Sequence, residues 1–250
     1  GDCPFEKMGK RVKIGNLELG KIPAVIGTVA GDINLPVEEV NKVDMLELRI
    51  DTFKSQDIAY IAGVVTSLKD VYGKPLLATV RAKDEGGAVY IADEKRYSIY
   101  KEVIPLVDAI DVELGSAELL KRVLPLCKGN SRLLIASYHN HDGTPDDVFL
   151  DGLISEGKGY GADIVKIAVT ANSKEDLSRL ISFTIKNRDK GIITISQGSI
   201  GTISRIVAPI LGSLITYGYI DKPSASGQLS AFDIAEYLRL FDPAYKGSKK

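Results

Sequence analysis

Eight short apolar runs, rich in β-branched residues, recur along the chain and constrain its fold more than any other feature. Segments with apolar residues three and four positions apart, typical of amphipathic helices, separate these runs. Strands that alternate with helices predict a parallel sheet. The runs are AVIGTV (24–29), MLELRI (45–50), PLLATV (75–80), AIDVEL (109–114), RLLIAS (132–137), DIVKIAV (163–169), GIITIS (191–196) and SLITYGY (213–219).

Eight strand-and-helix repeats in a chain of 250 residues match the usual size of a closed (β/α)8 TIM barrel. The alternative, an open doubly wound sheet, usually carries a glycine fingerprint after its first strand, which residues 27–36 lack. Residues 11–20 alternate around Gly15 and Asn16, and this pattern predicts a hairpin that closes the barrel floor. Because no linker or composition break interrupts the pattern, we expect one catalytic domain over residues 1–250.

The helical segments carry recognisable start signals. Residues 93–107 begin with two acidic side chains, as a helix N-terminus prefers. In residues 172–186, Asn172 followed by Glu175 has the spacing of a capping box, so we expect the helix to be capped at Asn172.

Charge and cysteine content exclude several classes of protein. The net charge of −1 gives no electrostatic reason to expect binding to nucleic acid or to an anionic membrane. No apolar run approaches the roughly 18 residues of a spanning helix, and the first residues lack a signal-peptide core. Cys3 and Cys127 are too few for a disulfide framework, so a reducing, cytoplasmic setting is expected.

Polar residues collect where the predicted strands end. In a barrel, active groups come from the C-terminal ends of several strands, which meet at one mouth. Six predicted strands deliver charged or polar groups there, whereas a barrel built only for stability would keep most of these positions apolar. The groups are Glu47, Arg49, Arg81, Glu85, Asp111, Glu113, Ser137, His139, His141, Lys166 and Arg205.

Lys166 interrupts an apolar run, and its setting suggests a chemical role. A lone strand lysine is more often a surface residue, but this run is apolar on both faces, so water is accessible only at the barrel mouth. Burial favours the neutral amine, a nucleophile that condenses with a ketone or aldehyde to give a Schiff base. His139, on the preceding strand, could then remove a proton from the neighbouring carbon. Glu47 and Arg49 fit a structural ion pair about as well as a functional role.

The remaining features leave the substrate class open. Arginines at the mouth suggest an anionic substrate. The glycine-rich turn SQGSIGTISR (196–205) could hold a phosphate, although Arg205 would serve a carboxylate equally well. Metal binding at His139 and His141 has little support from their spacing. A cysteine nucleophile is also disfavoured, because Cys127 is expected near the end of the barrel opposite the mouth. A lysine-dependent aldolase and a barrel that binds a small acid without turnover therefore remain alternatives.

Seven stretches together resemble type I 3-dehydroquinate dehydratase, in family order and over most of the barrel. Each stretch alone is weakly specific, whereas seven in order are specific. They are MLELRIDTF (45–53), ATVRAKDEGG (78–87), IDVELGS (110–116), SYHNHDGTP (137–145), ADIVKIAVT (162–170), SQGSIGTISR (196–205) and KPSASGQ (222–228).

The resemblance implies a hydro-lyase of the shikimate pathway, which converts 3-dehydroquinate to 3-dehydroshikimate and water by syn elimination. It implies that Lys166 forms the Schiff base and that His139 removes the proton and then protonates the departing hydroxyl. Glu85 or Glu113 would orient His139, and the family pattern favours Glu85. The resemblance further implies no metal or organic cofactor and a homodimer. The substrate-binding residues that it implies are Glu47, Arg49 and Arg81 for the hydroxyls, Arg205 for the carboxylate, and Ser224 and Gln228 on a mobile covering loop.

The sequence departs from the family pattern at several positions. Gln197 stands where methionine is frequent, Asn140 where aspartate usually follows the catalytic histidine, and Thr28 where serine is common. His141 is a second imidazole close to the first. Counting back from Thr144 of the GTP stretch assigns the catalytic role to His139.

Overall fold

The computed structural model describes residues 11–31, 35–223 and 227–248, and its centre is a barrel of eight parallel strands. Each predicted apolar run forms one of these strands, so the alternating pattern is confirmed. A separate antiparallel pair precedes them. The strands are β1 (Val12–Ile14), β2 (Leu17–Leu19), β3 (Ala24–Ala30), β4 (Met45–Arg49), β5 (Leu76–Thr79), β6 (Ala109–Glu113), β7 (Leu133–Asn140), β8 (Ile164–Thr170), β9 (Ile192–Gln197) and β10 (Ile215–Tyr219).

The sheet order shows that the strands form a barrel and not an open, doubly wound sheet. β10 pairs with β3, and the pairing then follows chain order from β3 to β9. The backbone N–H of Leu214, just before β10, donates to the carbonyl of Ile192 in β9 at 2.9 Å, which brings the two ends of the sheet together. The (β/α)8 prediction is therefore confirmed.

Helices cover the outside of the barrel and connect its parallel strands. Short 3₁₀ turns span Ile50–Thr52, Lys83–Glu85 and Ile104–Leu106. No helix within the described residues is both long enough and apolar enough to span a membrane. The helices are α1 (Val37–Val40), α2 (Ile58–Tyr72), α3 (Asp93–Val103), α4 (Ala117–Gly129), α5 (Asp147–Tyr160), α6 (Lys174–Asn187), α7 (Gly198–Gly201), α8 (Ser204–Leu211), α9 (Ala231–Phe241) and α10 (Pro243–Ser248).

The predicted cap of α6 is wrong by one residue. Ser173, not Asn172, is the N-cap: its hydroxyl accepts the N–H of Asp176 at 3.2 Å, and the Asp176 carboxylate accepts the N–H of Ser173 at 3.2 Å. Both candidate residues are good caps. The side chain of Asn172 instead donates to the carbonyl of Asp142 at 2.6 Å, a contact between separate loops that local spacing does not reveal.

The hairpin of β1 and β2 closes the floor of the barrel, as predicted. Gly15 forms its turn with φ of +55°, a left-handed conformation that favours glycine. Ile14 and Leu19 are fully buried, and they pack into the same apolar cluster as residues that begin barrel strands, including Ala24 and Met45. This end of the barrel is therefore sealed by apolar side chains.

Interior side chains change from apolar to polar along the strands. In β4 the inward series is Met45, Glu47 and Arg49, and β6 begins its inward series with Ala109 and continues with Asp111. Residues of the other parity pack against the helices. The half of the barrel interior next to the hairpin is thus apolar, and the other half, which opens at the C-terminal ends of the strands, is charged.

Candidate active site

An open pocket lies at this charged end and contains about 550 Å³ of space, including its mouth. The catalytic and substrate-binding residues implied by the resemblance all line the pocket except Ser224, which lies outside the described residues, and Glu113, the alternative partner of His139. Asp111 and Ser137, also expected at the mouth, lie in the barrel interior but are not among the lining residues. The lining residues are Thr28, Glu47, Arg49, Arg81, Glu85, Gly86, His139, His141, Lys166, Ala168, Ile195, Gln197, Arg205, Tyr217 and Gln228.

Lys166 lies in the middle of β8 and is 4% exposed. Its Nζ is 3.3 Å from Asp111 Oδ2 and 4.0 Å from Glu47 Oε1, and it lies 4.3 Å from the ring centroid of Tyr217. These four residues come from alternate strands, as in the layered interior of such barrels. The burial of Lys166 was predicted from its apolar run, whereas its contact with two carboxylates was not.

Asp111 joins Lys166 to a buried arginine. Arg81 Nη1 and Nη2 donate to Asp111 Oδ1 and Oδ2 at 2.9 and 3.0 Å, and Ser137 Oγ donates to Oδ1 at 2.5 Å. Burial opposes ionisation of Asp111, yet the charges of Arg81 and Lys166 lower its pKa below the usual value. Asp111 is therefore a permanent negative charge beside the lysine.

Glu113 is held by two arginines. Arg81 Nη1 donates to Glu113 Oε1 at 2.7 Å, and Arg96 of α3 forms an ion pair with Oε2. Arg96 also donates to the carbonyl of Val80 at 3.0 Å and is 1% exposed, so it reaches the barrel wall from outside. Sequence reasoning missed Arg96, which reads as an ordinary helix residue. Because Glu113 is occupied in this way, it does not contact His139.

His139 is oriented by Glu85. The ring Nδ1 lies 2.9 Å from Glu85 Oε2, and the backbone N–H of His139 donates to the same oxygen at 2.8 Å. His139 pairs with Ala168 in the sheet register, two residues beyond Lys166 towards the mouth. With Nδ1 donating to Glu85, Nε2 is the free position on the ring.

The charge states of this pair follow from burial. Burial, with the positive charges of Arg81 and Lys166, lowers the pKa of His139 well below its usual value, so the imidazole is neutral at pH 7. Burial and the charge of Glu113 raise the pKa of Glu85 to about 7. A neutral base therefore stands next to a carboxyl group that titrates near neutrality.

Arg49 and Glu47 are both anchored by the protein. Arg49 donates to Asp51 at 2.9 and 2.8 Å, so its partner is Asp51 and not Glu47. The carboxylate of Glu47 accepts hydrogen bonds from Thr28 at 3.1 Å and Thr79 at 3.0 Å. The structural ion pair that we considered between Glu47 and Arg49 is therefore not formed.

Arg205 differs from the other arginines of the pocket. It is buried and donates to two backbone carbonyls, Tyr217 at 3.0 Å and Gly227 at 3.2 Å. Within residues 11–31, 35–223 and 227–248, no carboxylate lies within ion-pair distance of it. Burial lowers the pKa of Arg205 to about 10, which still leaves it charged at neutral pH. A buried cation without an anion is a natural site for a carboxylate of a ligand.

This chain is similar to known proteins in sequence and in fold. The family model described as type I 3-dehydroquinase matches residues 24–244. A 3-dehydroquinate dehydratase of a Hydrogenobaculum strain is 38% identical over 203 residues, which cover 81% of this chain and 91% of the relative. The 3-dehydroquinate dehydratase of Thermodesulfovibrio yellowstonii is 36% identical over 225 residues, which cover 89% and 97%.

A solved structure agrees with both sequence matches. The type I 3-dehydroquinate dehydratase of Clostridium difficile, crystallised with covalently modified comenic acid, superposes with a TM-score of 0.86 at 28% identity. The superposition covers 96% of this chain and all of that chain.

Proposed function

The chain belongs to the type I 3-dehydroquinase family, and from that premise we propose that it removes water from 3-dehydroquinate through an imine at Lys166. The product is 3-dehydroshikimate, and the reaction is the hydro-lyase step of the shikimate pathway. The main support for the proposal is one observation: the buried side chain of Lys166 lines the same pocket as the neutral imidazole of His139.

The substrate is held by its carboxylate and its hydroxyls. Arg205 is the proposed partner of the carboxylate, because it is a buried guanidinium that donates to backbone carbonyls and has no carboxylate partner among the described residues. Glu47, Arg49 and Arg81 line the pocket and are proposed to bind hydroxyls. For Ser224 and Gln228 the resemblance supports a covering loop, and Gln228 does line the pocket.

Imine formation begins with attack of Nζ on the ketone carbon. The attacking amine must be neutral, so an ammonium group has to lose a proton before the attack. The ketone oxygen then leaves as water, with two protons, and a C=N bond replaces C=O. Asp111 and Glu47 lie close enough to stabilise the positive charge of the resulting iminium.

Elimination follows from the position of His139. Its Nε2 takes a proton from the carbon next to the iminium carbon; the C–H electrons form a C=C bond and the C=N π electrons move onto the nitrogen, which gives an enamine. The same imidazole then returns the proton to the hydroxyl on the next carbon, which departs as water while the enamine electrons restore the iminium and form the C=C bond of the product. Because one base serves both events, the proton and the hydroxyl leave from the same face. Water finally hydrolyses the iminium and frees Lys166.

Turnover of 3-dehydroquinate by single variants tests this assignment. Lys166→Ala should abolish turnover with the fold intact, because no other nucleophile replaces the amine. His139→Ala should permit imine formation but lower kcat by about 10²–10⁴-fold, the usual contribution of a positioned base. The matched controls are Lys121→Ala, an exposed lysine, and His141→Ala. Near-normal turnover by Lys166→Ala would refute the covalent mechanism, and loss in His141→Ala alone would move the base to His141.

We also propose that the protein is a cytoplasmic, single-domain homodimer that needs no metal or organic cofactor. The thiol of Cys127 is free and buried, as suits a reducing compartment. Exposed apolar side chains on the α8 and α9 helices, Ile210, Leu240 and Phe241, are candidates for contact with a second copy. Analytical ultracentrifugation should give a dimer mass, and activity should survive treatment with a chelator. A monomer, or loss of activity on chelation, would contradict the proposal.

A further inference from the structure

Tyr217 has a buried hydroxyl without a partner, and nothing in the mechanism above uses it. The residue points into the barrel from β10, is 3% exposed and lines the pocket. Its Oη makes no hydrogen bond to any described residue. Buried phenol groups normally find a partner, because an unsatisfied hydroxyl in a protein interior is costly. The orphan Oη therefore points to a partner that enters the pocket.

The other hydroxyls that reach Glu47 and Asp111 have partners, unlike that of Tyr217. Thr28 and Thr79 each donate to the carboxylate of Glu47, and Ser137 donates to Asp111. Tyr217 lies among the same carboxylates without bonding to them. Burial, with the charges of Glu47 and Asp111, holds the pKa of Tyr217 well above its usual value. Its hydroxyl therefore stays protonated and can donate.

Tyr217 also contacts both the proposed nucleophile, Lys166, and the proposed carboxylate-binding residue, Arg205. Its ring centroid lies 4.3 Å from Nζ of Lys166, within range of a cation–π interaction. Its backbone carbonyl accepts a hydrogen bond from Arg205 at 3.0 Å. The residue thus lies between the proposed nucleophile and the proposed carboxylate site.

We propose that Tyr217 is a further substrate-binding residue, whose Oη donates to a hydroxyl oxygen of the bound substrate and whose ring stabilises positive charge on the Lys166 nitrogen. This inference rests on the proposed function, since it takes 3-dehydroquinate as the polyhydroxylated ligand. The two contributions are separable. The hydroxyl contact is made in both ground and transition states and affects KM, whereas the ring acts on the charged imine and affects kcat.

Two substitutions separate the hydroxyl from the ring. Tyr217→Phe keeps the ring and removes Oη, so KM should rise about 3- to 10-fold with kcat nearly unchanged, the worth of one neutral hydrogen bond. Tyr217→Leu removes the ring as well and should lower kcat by a further factor of about 3 to 30. The matched control is Tyr219→Phe, the same change two residues along β10 and outside the pocket lining.

Substrate analogues distinguish a contact with substrate from a structural role. Lys166→Met and Lys166→Met/Tyr217→Phe are titrated with 3-dehydroquinate and with analogues that each lack one ring hydroxyl, because the analogue without the departing hydroxyl cannot be turned over. The difference in Kd should vanish for one analogue and persist for the others, because only one oxygen accepts from Oη. An equal difference for every analogue, or no difference with 3-dehydroquinate itself, would overturn the proposal.

Calorimetric binding separates this proposal from the imine. Lys166→Met and the double variant Lys166→Met/Tyr217→Phe are titrated with 3-dehydroquinate, and neither can form the adduct. The double variant should bind about 3- to 10-fold more weakly. Equal affinity would overturn the role of Oη even if wild type forms the imine. Weaker binding by the double variant would support Oη even if wild type fails to form it.

Discussion

Two walls of the pocket differ in whether their buried polar groups have ionic or side-chain partners within the protein. On the paired wall, formed by Arg81, Asp111, Glu113 and Ser137 of the β5–β7 region, every charge has a partner within the protein. On the open wall, formed by Arg205 and Tyr217, the guanidinium donates to backbone carbonyls and the phenol has no hydrogen-bond partner; within the part of the chain that the structure describes, neither group contacts a carboxylate.

This difference indicates where a ligand finds unused hydrogen-bond donors. Groups of the paired wall bond to one another and hold Lys166 in place, and of these groups Arg81 alone is also proposed to bind a substrate hydroxyl. Groups of the open wall retain unused donors, which a carboxylate or a hydroxyl of the substrate can accept from. The pocket can thus be stable and still bind strongly, because its buried ion pairs lie mainly on one wall and its unused donors mainly on the other.

Removal of the Asp111 carboxylate from the paired wall should have the largest effect, which is on stability. Asp111→Ala leaves the charges of Arg81 and Lys166 without their shared carboxylate and should lower the free energy of unfolding by about 3–5 kcal/mol, measured by urea denaturation. The matched control is Asp151→Ala, which removes an exposed carboxylate paired with Lys186 at 2.7 Å.

The control should change stability little, because solvent screens that pair. If Asp111→Ala were as mild as Asp151→Ala, the charges of the paired wall would not depend on one another, and the contrast between the walls would fail.

An intermediate effect is expected on the open wall, and it should appear in binding and not in stability. Arg205→Met should lower kcat/KM by about 100-fold, the worth of roughly 3 kcal/mol for a charge-assisted contact with the substrate carboxylate. The free energy of unfolding should change by less than about 1 kcal/mol, because the lost bonds to carbonyls are offset by removal of a desolvated charge.

Arg205→Lys is the control that keeps the charge and loses the two-pronged geometry, and its kcat/KM should lie between wild type and Arg205→Met. A large loss of stability in Arg205→Met with normal KM would place Arg205 on the paired wall instead.

The smallest effect concerns the pH dependence of kcat/KM, which depends on the titration of Glu85. The pKa of Glu85 is raised to about 7, and the pKa of His139 is far lower, so the titration near neutrality belongs to Glu85. Its ionised form accepts Nδ1–H and stabilises the imidazolium that forms when His139 takes a proton. The kcat/KM of wild type should therefore rise as pH increases through about 7.

Glu85→Gln should remove this rise and lower kcat/KM at pH 8 by roughly tenfold, the difference between a charged and a neutral hydrogen bond. A rise of unchanged shape in Glu85→Gln would assign the titration to another group.

The strands and the general place of the site follow from sequence because they depend on local pattern. Runs of apolar residues define the barrel, and side-chain alternation places Glu47 and Asp111 on its inner face. Burial of Lys166 also follows, since its run is apolar on both faces. These inferences need only the period of the strand and the direction in which the strands run.

Contacts between distant elements could not be foreseen in the same way. The pairing of Lys166 with Asp111 crosses β7, and only the rule that alternate strands share a layer would have suggested it. The same rule would have placed Tyr217 next to Lys166. Arg96 reaches the barrel wall from a helix and has no local signal. The cap of α6 has two, because Asn172 with Glu175 and Ser173 with Asp176 share the same spacing, and local pattern does not choose between them.

Borohydride reduction during turnover tests the central claim most directly. The enzyme is mixed with 3-dehydroquinate, reduced, digested and analysed by mass spectrometry. The account predicts a single stable adduct on the peptide that contains Lys166, present in His139→Ala and absent without substrate. Active enzyme that yields no adduct, or an adduct on a different lysine, would contradict it.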